Sequence, residues 1–170
     1  MASSLGKLTR RQVVDRARSA VGRPTIYKLG AGGREPSLER PDVELDCSGF
    51  VAWALGIDRF LPNDGIPHRS GEEWFECSNI FADARATCLY ASQVSLHEAL
   101  AGDVLVWPDG DGHQGHIGLV ASCEDGFGPA TVVHCSLGNY RERGDAIQET
   151  DISLFKKHGA IAARLSWVED

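Results

Sequence analysis

Apolar residues fall at helical spacing in two stretches of the first third of the chain and give way to strand-like runs after residue 103. Val13, Val14, Ala17 and Val21 form one stripe, which predicts an amphipathic helix capped by Thr9 and stopped by Gly22 and Pro24. Residues 28–45 carry five Gly or Pro among scattered charges and predict a loop. Between Leu45 and Gly56 the apolar positions Phe50, Val51, Ala54 and Leu55 are again helical, with Gly56 a natural stop. Residues 57–97 mix turn signals with large apolar side chains and predict loops with a short helix or two. From Asp103 onward DVLVW, HIGLVAS and TVVHCS are short runs rich in Val and Ile, separated by WPDGDGHQG and CEDGFGPA. A last apolar run, AIAARLSW, is placed to close the sheet. With no internal repeat, linker or low-complexity tract, the pattern predicts one α+β domain over residues 1–170.

Composition narrows the function classes. The chain is 42% hydrophobic and 24% charged, as in soluble globular proteins, and a formal charge of −7 offers no attraction to nucleic acid or to an anionic membrane. An anionic polymer as substrate would have to be held by local contacts. The first twenty residues lack an apolar signal core, and no run approaches transmembrane length. The expected location is therefore the cytoplasm, or outside the cell by a route that needs no cleaved signal. Cysteines at 47, 77, 88, 123 and 135 are odd in number and include no C-x-x-C pair. They are expected to be reduced, with Cys77–Cys88 the one bridge left open.

Candidate chemistry begins at ELDCSGFVAWALG. A helix starting near Asp46–Cys47 puts the thiol in the first turn, where free N–H groups and the helix dipole favour thiolate and suit an oxyanion. Cys47 shares a helical face with Phe50, Val51 and Ala54, so it is expected along the seam between helix and sheet. On the sheet, His116, Gly118 and Val120 share a face, and Gly118 leaves room for a helix end to approach the imidazole. On the following strand Val132, His134 and Ser136 share a face, with Cys135 on the other. A turn near Asp125-Gly126 brings His116 and His134 roughly opposite, to within about two residues of register. His134 can then orient His116 as a base for Cys47, the third role of a catalytic triad.

Blander roles compete. A buried cysteine is commonly packing, and a strand histidine is commonly structural. Zinc held by His113, His116, Cys123, His134 and Cys135 is the rival sharp reading, but alternation sends His134 and Cys135 to opposite faces. His113 is the rival base, in a glycine-rich loop where an imidazole is poorly held. His68, His97 and His158 read as surface or local packing. Trp107 reads as core, whereas Trp74 and Phe75 are candidates for a groove wall.

The order of these motifs resembles a known family. Asp46-Cys47-Ser48-Gly49-Phe50-Val51, then Ala101-Gly102-Asp103-Val104-Leu105-Val106-Trp107, Gly115-His116-Ile117-Gly118-Leu119-Val120 and Val133-His134-Cys135-Ser136 resemble the NlpC-type cysteine peptidases of bacterial cell-wall metabolism. The resemblance implies a compact papain-like fold, with a helix-borne cysteine packed on an antiparallel sheet. It implies Cys47 as nucleophile, His116 as general base and His134 as the third polar residue, without cofactor or metal. It further implies that Asp46 and Ser48 bind the peptide's amino group and that Tyr27, in Tyr27-Lys28-Leu29-Gly30, stands near the cysteine. Leu29 replaces the family's tryptophan. The implied substrate is a peptidoglycan stem peptide or muropeptide, cleaved at a bond between γ-D-glutamate and a diamino acid. The expected form is a monomer, with an immunity protein as partner if the chain is a toxin. An N-acetylmuramoyl-L-alanine amidase-type lysin or interbacterial amidase toxin, a non-catalytic wall-peptide binding module, and a structural or redox protein using its five thiols are the alternatives.

Overall fold

The computed structural model describes residues 6–60 and 74–170. In chain order it contains β1 (Leu8–Thr9), α1 (Arg10–Ser19), β2 (Ile26–Tyr27), β3 (Glu44–Leu45), α2 (Cys47–Leu55) and α3 (Cys77–Arg85). There follow β4 (Ala91–Val94), β5 (Val104–Trp107), β6 (His116–Glu124), β7 (Gly128–Cys135), α4 (Leu137–Arg143), β8 (Ile147–Asp151), α5 (Ser153–Lys157), β9 (Ile161–Leu165) and β10 (Val168–Glu169). The architecture is α+β. Six strands form a sheet in the order β4-β9-β5-β6-β7-β8, every neighbouring pair antiparallel.

The two helices expected from apolar spacing begin where local chemistry dictates, although α1 ends at Ser19, before Val21 and the Gly22 expected to stop it. Thr9 and Gln12 form a reciprocal capping box at the head of α1, and Val13, Val14 and Ala17 are its buried face. Asp46 caps α2 by accepting from the Gly49 N–H, and Gly56 ends it in the left-handed region at φ 71°. All nine residues of α2 are buried, since the sheet, α1 and the 28–45 loop enclose it.

The sheet has two covered faces. Val104, Val106, Ile117, Leu119, Val133 and Cys135 pack with α1, α2 and α3. Leu105, Trp107, Val120, Val132 and Ala162 pack with Phe155 of α5. Beneath them Asp103, fully buried, accepts from Arg10 at 2.8 Å, from Arg164 at 3.0 Å and from the Leu100 N–H at 2.9 Å, tying α1, β5 and β9 together.

Three expectations change. AIAARLSW does not close the sheet at an edge, because β9 inserts between β4 and β5. The edge strands β4 and β8, and the helices α4 and α5, carry no strong apolar period and went unforeseen; polar edge strands are usual where unpaired backbone faces solvent. The space beside Gly118 admits no end of α2. A Cβ there would strike Val132, come within 2.7 Å of Phe155 Cζ and meet His134 Cβ at 3.0 Å, so it is α5 and β7 that close on this glycine.

Gly118→Ala is therefore expected to overpack the α5 face and cost about 1–3 kcal/mol, measurable by denaturant unfolding. An unchanged midpoint would mean that Phe155 is free to withdraw.

Candidate active site

Cys47 is the first residue of α2 and is 5% exposed. Its Sγ lies 3.7 Å from the Sγ of Cys77, which is itself the first residue of α3, capped by Glu76 through the N–H groups of Ser78 and Asn79. Two helix heads thus present thiols to one another. The hydrogen bond from Cys77 is the largest influence on Cys47 and, with another from His116, outweighs burial and lowers the thiol to about 5. Cys77 moves the opposite way, well above an ordinary thiol, because its proton is engaged by Cys47 and its surroundings are dry. At neutral pH Cys47 is the thiolate and Cys77 the donor.

His116 is the first residue of β6, and its ring stands at the open end of the strand. Its Nε2 is 2.8 Å from Nδ1 of His134, whose Nε2 is 3.0 Å from Thr150 Oγ1. Burial, followed by the nearby His116, lowers His134 to about 3, so it is neutral. Thr150 spends its own hydrogen on the Asp151 carbonyl at 3.0 Å, and must therefore accept from His134 Nε2. That fixes the remaining polarity: His134 accepts at Nδ1, and His116 donates from Nε2. The Nδ1 of His116 is left to exchange a proton with Cys47. The chain Thr150–His134–His116–Cys47 thus sets the tautomer of His116 from the far edge of the sheet.

Both histidines lie on the α5 face of the sheet, 5.4 Å from the ring of Phe155, whereas α2 packs on the other face. His116 meets the thiol because it begins its strand, where the sheet no longer separates the two sides. The Leu119↔Val133 pairing places His134 beside Gly118 rather than directly opposite His116, a diagonal of two residues.

The other expected residues are distributed as follows. Tyr27 is half-buried beside the site, and its phenol is held well above its ordinary value by burial and by the negative charge of Cys47. Its hydroxyl donates to Gln114 Oε1 at 3.4 Å. Asp46 and Ser48 are buried and engaged by Arg59, which had no place in the sequence reading. Arg59 donates to both oxygens of Asp46, at 2.6 and 3.2 Å, to Ser48 Oγ at 2.8 Å and to the Ala31 carbonyl at 3.1 Å. Gly49 makes this possible, since a Cβ there would lie 2.7 Å from Arg59 Nη1. A substrate ammonium would have to displace this buried guanidinium.

Residues of the zinc alternative are dispersed. Cys123 donates to Ala99 O, Cys135 to Leu45 O, and His113 is exposed on a hairpin. Among the described residues no three His, Cys, Asp or Glu side chains converge as a metal site. All five cysteines are free, and Cys77 faces Cys47 rather than the exposed Cys88. Trp74 and Phe75 form no groove wall: both are buried, Trp74 against Tyr90 and Trp167. Trp107 stacks on His158 at 4.6 Å. His97 lies in a single 3-10 turn, Leu96–Glu98, and is exposed; His68 lies outside the described residues.

Cys77 and Thr150 were also unforeseen. The signal for Cys77 was present: Glu76-Cys77-Ser78-Asn79 repeats the acid-Cys-Ser pattern of Asp46-Cys47-Ser48-Gly49, which marks a second helix head. Thr150 had none, since its strand is polar.

No protein-family model matches the sequence, and no curated protein matches it. Among solved structures, a crystal structure of a lipoprotein-like protein of the NLP/P60 family from Staphylococcus aureus is similar, at 20% identity and a TM-score of 0.48. The match covers 99% of this chain and 44% of that one, so the chain spans less than half of its neighbour's length.

Two titrations follow from the geometry. The rate of Cys47 alkylation by iodoacetamide is expected to rise with pH through about 5, and Cys77→Ala should move that inflection up towards the ordinary thiol range. An unmoved inflection would exclude the Cys77 hydrogen bond as its cause. His134 has a folded value of about 3 against an ordinary 6.5, so between these the unfolded chain binds the extra proton and stability falls as pH falls. At 1.36 kcal/mol per unit the limit is about 5 kcal/mol. His134→Gln should flatten unfolding free energy measured between pH 7 and 3; an unchanged slope would reject a neutral buried imidazole.

Proposed function

We propose that the chain is a cysteine peptidase that hydrolyses amide bonds in peptidoglycan stem peptides, at the bond between γ-D-glutamate and a diamino acid. The observation that carries the chemistry is the thiol at the head of α2 joined to an ordered His116–His134–Thr150 chain. The motif resemblance around Cys47, Gly102-Asp103, His116 and His134 carries the substrate class.

In this mechanism the Cys47 thiolate attacks the amide carbonyl, and the backbone N–H groups at the α2 head receive the oxyanion. His116, protonated at Nδ1, gives that proton to the leaving amine. Water then attacks the thioester with His116 Nδ1 as base, and the thiolate returns. His134 holds the ring of His116 and its tautomer throughout. Tyr27 is proposed as a substrate contact at the rim, acting as a neutral donor.

Asp46 and Ser48 bear on specificity through Arg59. With their oxygens engaged by that guanidinium, a free peptide ammonium finds no unoccupied carboxylate at the helix head. This favours stem peptides whose amino end is acylated, as when still joined to muramic acid, over muropeptides with a free L-alanine. It also keeps the N-acetylmuramoyl-L-alanine amidase reading as the second one, because that bond is itself the acylated end.

Mass spectrometry of purified peptidoglycan, of sugar-linked muropeptides and of free tetrapeptide decides among these. Wild type is expected to release fragments from the first two faster than from the third. Cys47→Ala should reduce turnover by at least 10³-fold, and His116→Ala should cost at least as much as His134→Ala. Retained hydrolysis in Cys47→Ala would refute the mechanism.

A further inference from the structure

We propose that Cys47 and Cys77 form a reversible disulfide, installed by hydroperoxides and removed by thiols, so that the pair is a modification site that switches the nucleophile off. As an activity switch it rests on Cys47 being that nucleophile; as a thiol site it stands on geometry alone. The two sulfurs are 3.7 Å apart, against about 2.05 Å in a disulfide, and both side chains are single rotors on helix heads. The other three thiols are turned elsewhere. Cys88 donates to Ala84 O, Cys123 to Ala99 O and Cys135 to Leu45 O.

Chemistry at the pair is asymmetric in the way a peroxide reaction requires. The Cys47 thiolate is the reactive partner and the protonated Cys77 the resolving one. Thiolate sulfur attacks one oxygen of the hydroperoxide; the S–O bond forms, the O–O bond breaks, and the departing alkoxide takes the proton of His116. Cys47 is now a sulfenic acid, oxidised by two electrons, and the peroxide is an alcohol. The Cys77 sulfur then attacks Cys47 sulfur, the S–S bond forms, and hydroxide leaves with the Cys77 proton as water. The balance is two thiols plus ROOH giving one disulfide, ROH and water. A neighbouring thiol in van der Waals contact outcompetes a second peroxide, which would carry Cys47 to the irreversible sulfinic acid.

The arrangement also separates this role from packing. A thiol that merely filled space would be served as well by Ala or Val at position 77, whereas Glu76 caps α3 so that residue 77 takes the first helical position facing Cys47.

The test uses the reduced full chain. It is treated with one equivalent of hydrogen peroxide, blocked with N-ethylmaleimide and mapped by non-reducing peptide mass spectrometry. The expected product links the Cys47 and Cys77 peptides and leaves Cys88, Cys123 and Cys135 alkylated. Hydrolysis should fall at least tenfold and recover with dithiothreitol. In Cys77→Ser, an excess of at least two equivalents of peroxide should carry Cys47 to sulfinic acid, with less than a tenth of activity recovered, whereas the wild type under the same excess stays linked and recovers with dithiothreitol. Wild-type protein in which Cys47 is sulfinic while Cys77 is alkylated, or in which either joins another cysteine, overturns the proposal, and that readout needs no variant to fold. Linkage in a chain that hydrolyses nothing would sink the peptidase reading and leave the disulfide standing. Hydrolysis without linkage would do the reverse.

Discussion

The buried pairing of Arg59 with Asp46 is the interaction on which the site depends. Asp46 caps α2, accepts from Gly30 N–H at 2.8 Å and takes both arms of the guanidinium, while its own N–H reaches the Ala31 carbonyl. The backbone of Arg59 meanwhile donates to Gly33 O and accepts from Trp74 N–H, so one residue ties the 28–45 loop, the head of α2 and the approach to α3. Charges this deep are worth keeping only when every oxygen is matched, and removal of one partner typically costs about 3–5 kcal/mol. Here the matching has a chemical consequence. It fixes where α2 begins and, through the Arg59 carbonyl, holds the segment leading into α3, whose Glu76 cap places the second thiol.

A second constraint runs through the sheet. Antiparallel pairing of β6, β7 and β8 aligns His116, His134 and Thr150 on one face, and the last hydroxyl is polarised by the Asp151 carbonyl. Because Thr150 gives its hydrogen to the Asp151 carbonyl and His134 is held neutral by burial, the chain has one direction, and His116 is left with Nδ1 free for Cys47. Phe155 packs against both imidazoles on that face and Trp107 against His116, and both rings are buried. Packing on one side of the sheet therefore sets the protonation of groups gathered at its end. The fold is an α+β arrangement in which the Cys47 thiol and the His116 imidazole come from opposite sides and meet at a strand terminus.

Much of this was legible along the chain, and the legible parts are those governed by neighbours in sequence. Thr9 with Gln12, Asp46 with Gly49, and Gly56 at φ 71° act within a turn of helix, so α1 and α2 appear where spacing places them. Alternation in β5, β6 and β7 similarly assigns His116 and His134 to one face and Cys135 to the other. Register came within two residues, because the turn between β6 and β7 is short, and the irregularity at Ser122 leaves the pairing on either side of it in step. The edge strands β4 and β8 were hidden because edges are polar, and Thr150 was hidden with them.

The sequence by itself determined the helix heads, the strand faces and the cysteine-histidine-histidine order, since caps and alternation are decided by residues a few positions apart. Tertiary structure alone decided that β9 would lie between β4 and β5, that Phe155 would fill the space beside Gly118, and that Arg59 would take Asp46 and Ser48. It alone set Cys77 against Cys47 across thirty residues. These are contacts between segments that share no local period, fixed by the need to fill buried volume and to pair every buried charge. No spacing rule along the chain carries that information.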